Sequence, residues 1–282
     1  MRHTLSSVFV LALVAMSAPA LAAGDAAPAP AFKASGSAVF VSDYRLRGVS
    51  QSDKGFAVQG NLTVAHESGL YAGIFSSSLA GWGTFGGPNI EFDLIGGYKK
   101  TLGSATVDVG LTWYMYPGGA NKTDYAEPYV KISGTAGPVS MLAGVAYAPS
   151  QQALGEWYFT GADYAAGTVN QPGAKHDNLY LWGDFAAAVP KTPLTLKAHV
   201  GYSKGNPGLG PNGTSIAPTG KYWDYLVGVD YTVFGPLVFS VNFAGTDISS
   251  ADGAYLLPSF GKVADGSSIA KGKVFFALSA NF

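Results

Sequence analysis

The chain has 282 residues, of which only 12% are charged, with a formal net charge of −1, 38 glycines, 13% aromatics and no cysteine. A soluble domain carries charge at about 25% of its positions, so this composition argues against an ordinary water-facing surface. The near-zero charge leaves no footprint for nucleic acid, and the absence of cysteine excludes a disulfide framework, thiolate metal sites and a cysteine nucleophile.

In chain order, Arg2 and His3 precede an apolar run over 8–14 and the small residues Ala20 and Ala22. That order predicts a secretory signal peptide over residues 1–22; the run is too short for a transmembrane helix, which needs about 20 apolar residues. Residues 23–36 are rich in Ala and Pro and are expected to form a flexible leader. The remainder, 37–282, alternates with a period of two, the signature of strands with two different faces.

Twelve strands are expected: 37–47, 56–66, 70–79, 89–99, 104–116, 125–134, 138–148, 177–189, 194–204, 221–233, 237–246 and 272–282. In the fifth, Val107, Val109, Leu111 and Trp113 share one face while Thr106, Asp108, Gly110 and Thr112 share the other. All are long enough to cross a bilayer at a tilt, whereas soluble strands run to about 5–6 residues. The connections differ by parity. Those at 67–69, 100–103, 135–137, 190–193 and 234–236 are short, and the others are longer, above all 149–176 and 247–271. Short periplasmic turns and long extracellular loops have this asymmetry in outer-membrane barrels. The expected fold is therefore an all-β, transmembrane antiparallel β-barrel of about 12 strands in the bacterial outer membrane.

Aromatic residues fall near the strand ends: Tyr71, Tyr98, Tyr129 and Tyr231 toward the short turns, Trp113, Tyr125, Tyr147, Tyr202 and Trp223 toward the long loops. They are expected to form the two interfacial girdles. The final strand alternates Val274, Phe276, Leu278 and Ala280 with Lys273, Phe275, Ala277 and Ser279, and ends at Phe282. This ending is similar to the C-terminal strand by which outer-membrane proteins engage the barrel-assembly machinery, which makes that machinery an expected partner beside outer-membrane lipid.

The stretch Ser42-Asp43-Tyr44-Arg45-Leu46-Arg47-Gly48-Val49-Ser50-Gln51-Ser52 resembles the opening motif of the TorF family of porins, also called the Gcw_chp family. Ala57 to Gly60 and Ala65 to Gly73 continue the resemblance. It is specific over 37–79 and diffuse beyond. That family more often has Val-Phe where Arg45-Leu46 stand, and Ile in place of Val49. The resemblance implies an outer-membrane barrel with a channel role, and it brings no catalytic residues.

If the apolar faces meet lipid, the others face a lumen, since Arg or Lys at the bilayer midplane costs about 2–4 kcal/mol. The lumen-facing candidates are Asp43, Arg45, Arg47, Glu91, Asp93, Asp108, Lys131, Asp184, Lys197, His199, Asp224, Asp230 and Lys273. Gly97, Gly110, Gly144, Ala146, Gly201 and Ala277 share that face and are expected to leave room for water. The acidic excess predicts a weak cation preference, unless the charges pair with one another across strands.

No cofactor, metal or catalytic residue is expected. Hydrolysis would need an activated serine or a metal cluster, and past the signal peptide only His66, His176 and His199 are available, far apart in the strand map. Gly81 to Gly86 satisfies G-x-G-x-x-G without a following helix and reads as loop. The expected function is a porin-like channel for passive diffusion of small polar solutes or ions. The alternative is a structural or interaction barrel plugged by its loops, with 149–176 and 247–271 as the segments long enough to fold inward.

Overall fold

The computed structural model describes residues 31–81, 87–205, 208–211, 213, 216–217, 219–255, 262 and 265–282. The expected signal peptide, the leader up to residue 30, all but the first residue of the Gly81–Gly86 motif, and part of the last long loop lie outside the described residues.

The elements, in chain order, are β1 (Phe32–Val41), β2 (Arg45–Leu46), β3 (Val49–Ser50), β4 (Ala57–His66), β5 (Leu70–Ser78), β6 (Ile90–Leu102), β7 (Ala105–Met115), β8 (Tyr125–Ala136) and β9 (Val139–Gln151). They continue with α1 (Gly161–Ala166), β10 (His176–Ala188), β11 (Leu194–Lys204), β12 (Lys221–Phe234), β13 (Leu237–Thr246), α2 (Ser250–Tyr255) and β14 (Lys273–Asn281). Twelve of the strands close into one antiparallel barrel, each paired with its neighbours in sequence except where β14 returns to β1 and where β1 meets β4; β2 and β3 pair with each other alone. The barrel is closed by the register from Ser37↔Asn281 to Val41↔Ala277. Past it, Gly36 and Phe282 exchange backbone hydrogen bonds of 2.8 and 2.9 Å. Closure leaves no edge strand, which is what lets a sheet stand in lipid.

Alternation sets inside from outside. Along β7, Val109, Leu111 and Trp113 are exposed on the outer face, while Asp108, Thr112 and Tyr114 are buried on the inner one. An outer face so apolar is stable only against hydrocarbon. Tyr98, Trp113, Tyr147, Trp223 and Tyr231 belong to that face. Tyr71, Tyr125 and Tyr129, expected in the girdles, are instead buried inside the barrel. Their even spacing with inward-facing polar neighbours, such as Glu127 and Lys131 on β8, outranks the general preference of Tyr for an interface.

The first strand differs most from expectation. It runs over Phe32–Val41 rather than 37–47, and its first residues, Phe32 to Gly36, pair with His66 to Leu62 of β4 instead of belonging to a leader. A β4 that extends to His66 needs that partner for its backbone groups. At the other end the chain leaves the wall at Ser42, whose amide still bonds to the Phe276 carbonyl at 2.9 Å. Residues 43–52 then turn into the barrel, and Phe56 is back on the outside, stacked on Phe40.

The space expected beside the inward glycines is also filled differently. Gly97, Gly110 and Gly144 lie directly opposite Tyr71, Tyr129 and Trp182 in register, and each ring lies so close over its glycine that a Cβ there would collide with it. Tyr180 covers Gly201 in the same way. The glycines let large rings lie along the wall; they do not by themselves open a channel.

Candidate functional site

The site is built by the segment that left the wall. Arg45↔Ser50 and Leu46↔Val49 pair as a minimal hairpin, with Arg47 and Gly48 at φ 48° and 78° in its two-residue turn. Positive φ at both central positions is the requirement of a type I′ turn, which glycine meets without strain and arginine does not. Tyr44, Arg45, Leu46, Arg47, Val49 and Ser50 are all buried. The hairpin thus lies inside the barrel at the long-loop end.

Polar contacts fix it there. Arg45 Nε donates to Asp43 at 2.9 Å, and its Nη1 donates to the carbonyls of Gly48 and Lys271, both at 2.8 Å, and of Ala244 at 3.2 Å. Arg47, at the tip, donates from Nη2 to both oxygens of Glu127 on β8, at 2.7 and 2.6 Å. Its guanidinium carbon stands 4.1 Å from the centre of the Tyr180 ring on β10. Asn178, with its amide oriented to satisfy both ends, accepts from Arg47 Nη1 at 3.0 Å. Tyr44 donates to Glu91 of β6 at 2.7 Å. The hairpin is therefore tied to β6, β8, β10 and β13 at once.

The long loops form a roof over the hairpin. Ser50 donates its amide to the Ile269 carbonyl at 3.0 Å, and Val49 packs with Leu209, Tyr222, Ile248, Ile269 and Ala270, against which Tyr158 and Tyr164 rest. Helix α1 is held by a capping box between Thr160 and Asp163. Among the described residues, the segment that lies inside the barrel is the first connection, while 149–176 and the described part of 247–271 cover it from outside. At the rim Lys54 donates to Ser267 at 2.7 Å. Burial holds the Lys54 ammonium below its ordinary pKa, with Lys262, Lys273 and Arg45 pushing the same way and Asp265 opposing.

Below the tip the inner wall carries three charge networks. Asp108 on β7 lies 3.2 Å from Lys131 and 3.7 Å from Lys99, and Tyr71 donates to it at 2.6 Å. His199 on β11 stands between Asp184 at 2.6 Å and Asp224 at 3.0 Å, with the Tyr180 hydroxyl 2.9 Å away. Lys197 pairs with Asp230, which also accepts from Ser240 at 2.6 Å. With both imidazole nitrogens engaged by carboxylates, neither is left to take a proton from a nucleophile. Among the described residues no cluster of His, Asp or Glu has the geometry to hold a metal ion. A cavity of about 70 Å³ adjoins the tip, between Arg47 and Glu127 above and Tyr129, Lys131, Trp182 and His199 around it.

Of the residues singled out in the sequence, Glu91, Asp93, Asp108, Lys131, Asp184, Lys197, His199, Asp224 and Asp230 project from β6 to β12 into the barrel. Arg45 and Arg47 do not: they belong to the hairpin and not to a wall strand. The alternation of Asp43, Arg45 and Arg47 imitates an inner wall because a hairpin buried in a polar lumen faces the same surroundings. Glu127, Lys99, Tyr180 and Trp182 were missed. Glu127 sits two residues from Tyr129 and four from Lys131, so the period of two was enough to find it.

The sequence pattern described as "Bacterial protein of unknown function (Gcw_chp)" matches residues 25–282. The chain belongs to the Gcw_chp family. No curated protein matches its sequence. Among solved structures, this Gcw_chp chain is similar to "NanC porin structure in rhombohedral crystal form", with 11% identity, a TM-score of 0.51, and coverage of 89% of this chain and 99% of that one. It is similar also to "KdgM porin in complex with disordered oligogalacturonate", with 9% identity, a TM-score of 0.50 and coverage of 88% and 99%. At such identities the likeness is one of fold: the Gcw_chp chain has the barrel architecture of porins.

Proposed function

We propose that the protein is an outer-membrane channel for passive diffusion of small polar solutes or ions, without cofactor or catalysis, in which the hairpin of β2 and β3 forms the constriction. The observation that carries this reading is the inner wall. Between its aromatic rings it carries Thr63, Asp108, Lys131, Lys197, His199, Asp230 and Asn242, polar groups turned inward from strands all round the barrel. Such groups cost about 1–3 kcal/mol each in a dry interior, so this one suits water. The porin architecture supports the same reading. In it the segment 1–22 exports the chain and the strand ending at Phe282 is handed to the assembly machinery. The burial of the whole hairpin tip favours a second reading, a barrel plugged by its own first loop that serves as a structural or interaction module.

Planar bilayers separate the two. Residues 44–54 can be replaced by Gly-Gly-Ser, because Val41 and Ala57 face each other in register. Small conductance steps are expected from the native chain, and steps several-fold larger from the shortened one. Steps from the shortened chain alone would favour the plugged barrel, and silence from both would overturn the channel.

A further inference from the structure

The tip of the hairpin occupies a site whose chemistry is that of cation recognition. Glu127 offers two carboxylate oxygens to Arg47, the Tyr180 ring offers its face at 4.1 Å, and Tyr114 donates to Glu127 at 3.4 Å from the side. A carboxylate beside an aromatic face, both desolvated, is the arrangement that holds guanidinium and ammonium groups. Two further carboxyl groups lie on β6. Glu91 is fully buried, and so is Asp93, whose carboxylate oxygens have no cation or side-chain donor among the described residues. Both Glu91 and Glu127 act on Asp93 electrostatically, and the Met115 backbone faces it. Arg47 reaches Glu127 from a tether, in a backbone conformation that disfavours its residue type.

We propose that Glu127 and Tyr180, with Tyr114 beside them, form a binding site for small organic cations bearing a guanidinium or primary ammonium head, and that Arg47 fills it as a tethered substitute. The cavity below the tip gives a free cation a way to the same carboxylate, since Arg47, Glu127 and Tyr180 all border it. A solute that binds there competes with the tip and releases the hairpin's hold on β8 and β10. This deepens the channel reading and rests on it for its consequence, but the binding step can be measured without any conductance.

Methylguanidinium, the head of the arginine side chain, is the probe, with sodium acetate as the counter-charged control. In detergent, Arg47→Ala vacates the site. Methylguanidinium at about tenfold its dissociation constant is expected to raise the thermal unfolding midpoint of that variant by a few degrees. The shift disappears in Arg47→Ala/Glu127→Gln, and acetate gives none. The chain shortened across 44–54 provides the same vacant site without the tip and is expected to respond in the same way, which covers the case in which Arg47→Ala does not fold. Equal shifts with and without Glu127, or no shift in either vacated form, would overturn the site. In bilayers the same probe is expected to reduce potassium current through Arg47→Ala at least several-fold and to leave the double variant unaffected. A conducting Arg47→Ala channel indifferent to the probe would overturn the inference while the channel reading stands. A thermal shift without conductance in any form would overturn the channel reading while the site stands.

Discussion

At the scale of single residues, the inner wall is shaped by glycine as much as by charge. Gly110 faces Tyr129 across the β7–β8 pair, and the Tyr129 hydroxyl in turn meets that of Tyr71, which donates to Asp108. A side chain at Gly110 would push Tyr129 off the wall and uncouple it from this chain of hydroxyls. Gly110→Val is therefore expected to destabilise the barrel by about 1–3 kcal/mol, the usual cost of overpacking, and to narrow the lumen. Heat-modifiable electrophoretic mobility reads the first effect and single-channel conductance the second; an unchanged midpoint would refute the packing role of the glycine. Charges on the wall act in groups instead. Asp108 serves Lys131 and Lys99, and Asp224 and Asp184 share His199. Removing one member of such a group leaves its partners buried and unpaired, so single deletions should cost more than the pairs themselves contribute.

At the scale of elements, the hairpin of β2 and β3 stands outside the ladder of the barrel, its two strands paired only with each other. Its turn depends on Gly48, which at φ 78° also lies against the Gly245 carbonyl. Gly48→Val places a β-branched side chain where the backbone disfavours one and where no space exists, a cost of about 1–3 kcal/mol. Because the native chain has no cysteine, a single Leu46→Cys substitution reports on the hairpin without background, and Leu46 is buried in place. Labelling of the introduced thiol by a water-soluble maleimide is expected to be at least tenfold faster when Gly48→Val is also present. Equal rates would mean that the turn geometry does not hold the hairpin in the lumen. The closing strand gives a second element-level expectation. Phe282 lies over Gly36 on the outside and ends the strand that seals the barrel, so Phe282→Ala is expected to lower the yield of assembled barrel in outer-membrane fractions more than its thermal stability after refolding.

At the scale of the whole molecule, the charge inside the barrel divides into what the wall carries and what the hairpin brings. The wall carries Glu91 and Asp93 on β6 and Glu127 on β8, and the hairpin sets Arg47 against Glu127 and Tyr44 against Glu91. Withdrawing or excising the tip removes two arginines and leaves those carboxylates facing the lumen. The chain shortened across 44–54 is expected to prefer potassium to chloride more strongly than the native chain, as read from reversal potentials in a salt gradient. A shift toward chloride would refute this division of charge. The pairing of Asp108, Asp184, Asp224 and Asp230 with cations of neighbouring strands keeps the rest of the interior nearly balanced, so the tip level dominates whatever preference the lumen has.

Most of this architecture is legible in the sequence, for a physical reason. A barrel wall is built from nearest-neighbour strands, and a period of two with short and long connections in turn carries nearly all of its information. Eleven of the twelve wall strands accordingly fall within a few residues of their expected places. What alternation cannot reveal is a segment that folds back into the interior, because a buried hairpin and an inner wall select the same residues. Asp43, Arg45 and Arg47 continue the pattern of β1 without continuing its pairing. Nor does the sequence say that Tyr71, Tyr129 and Trp182 lie flat over glycines, or that Arg47 meets Glu127, 80 positions further along. The first depend on how a ring turns over the adjacent strand, which periodicity does not specify, and the last joins the buried turn to a wall strand that local periodicity treats as independent. The sequence alone determined a closed barrel with an apolar outside and a charged inside; only the tertiary structure decided what stands in the middle of it.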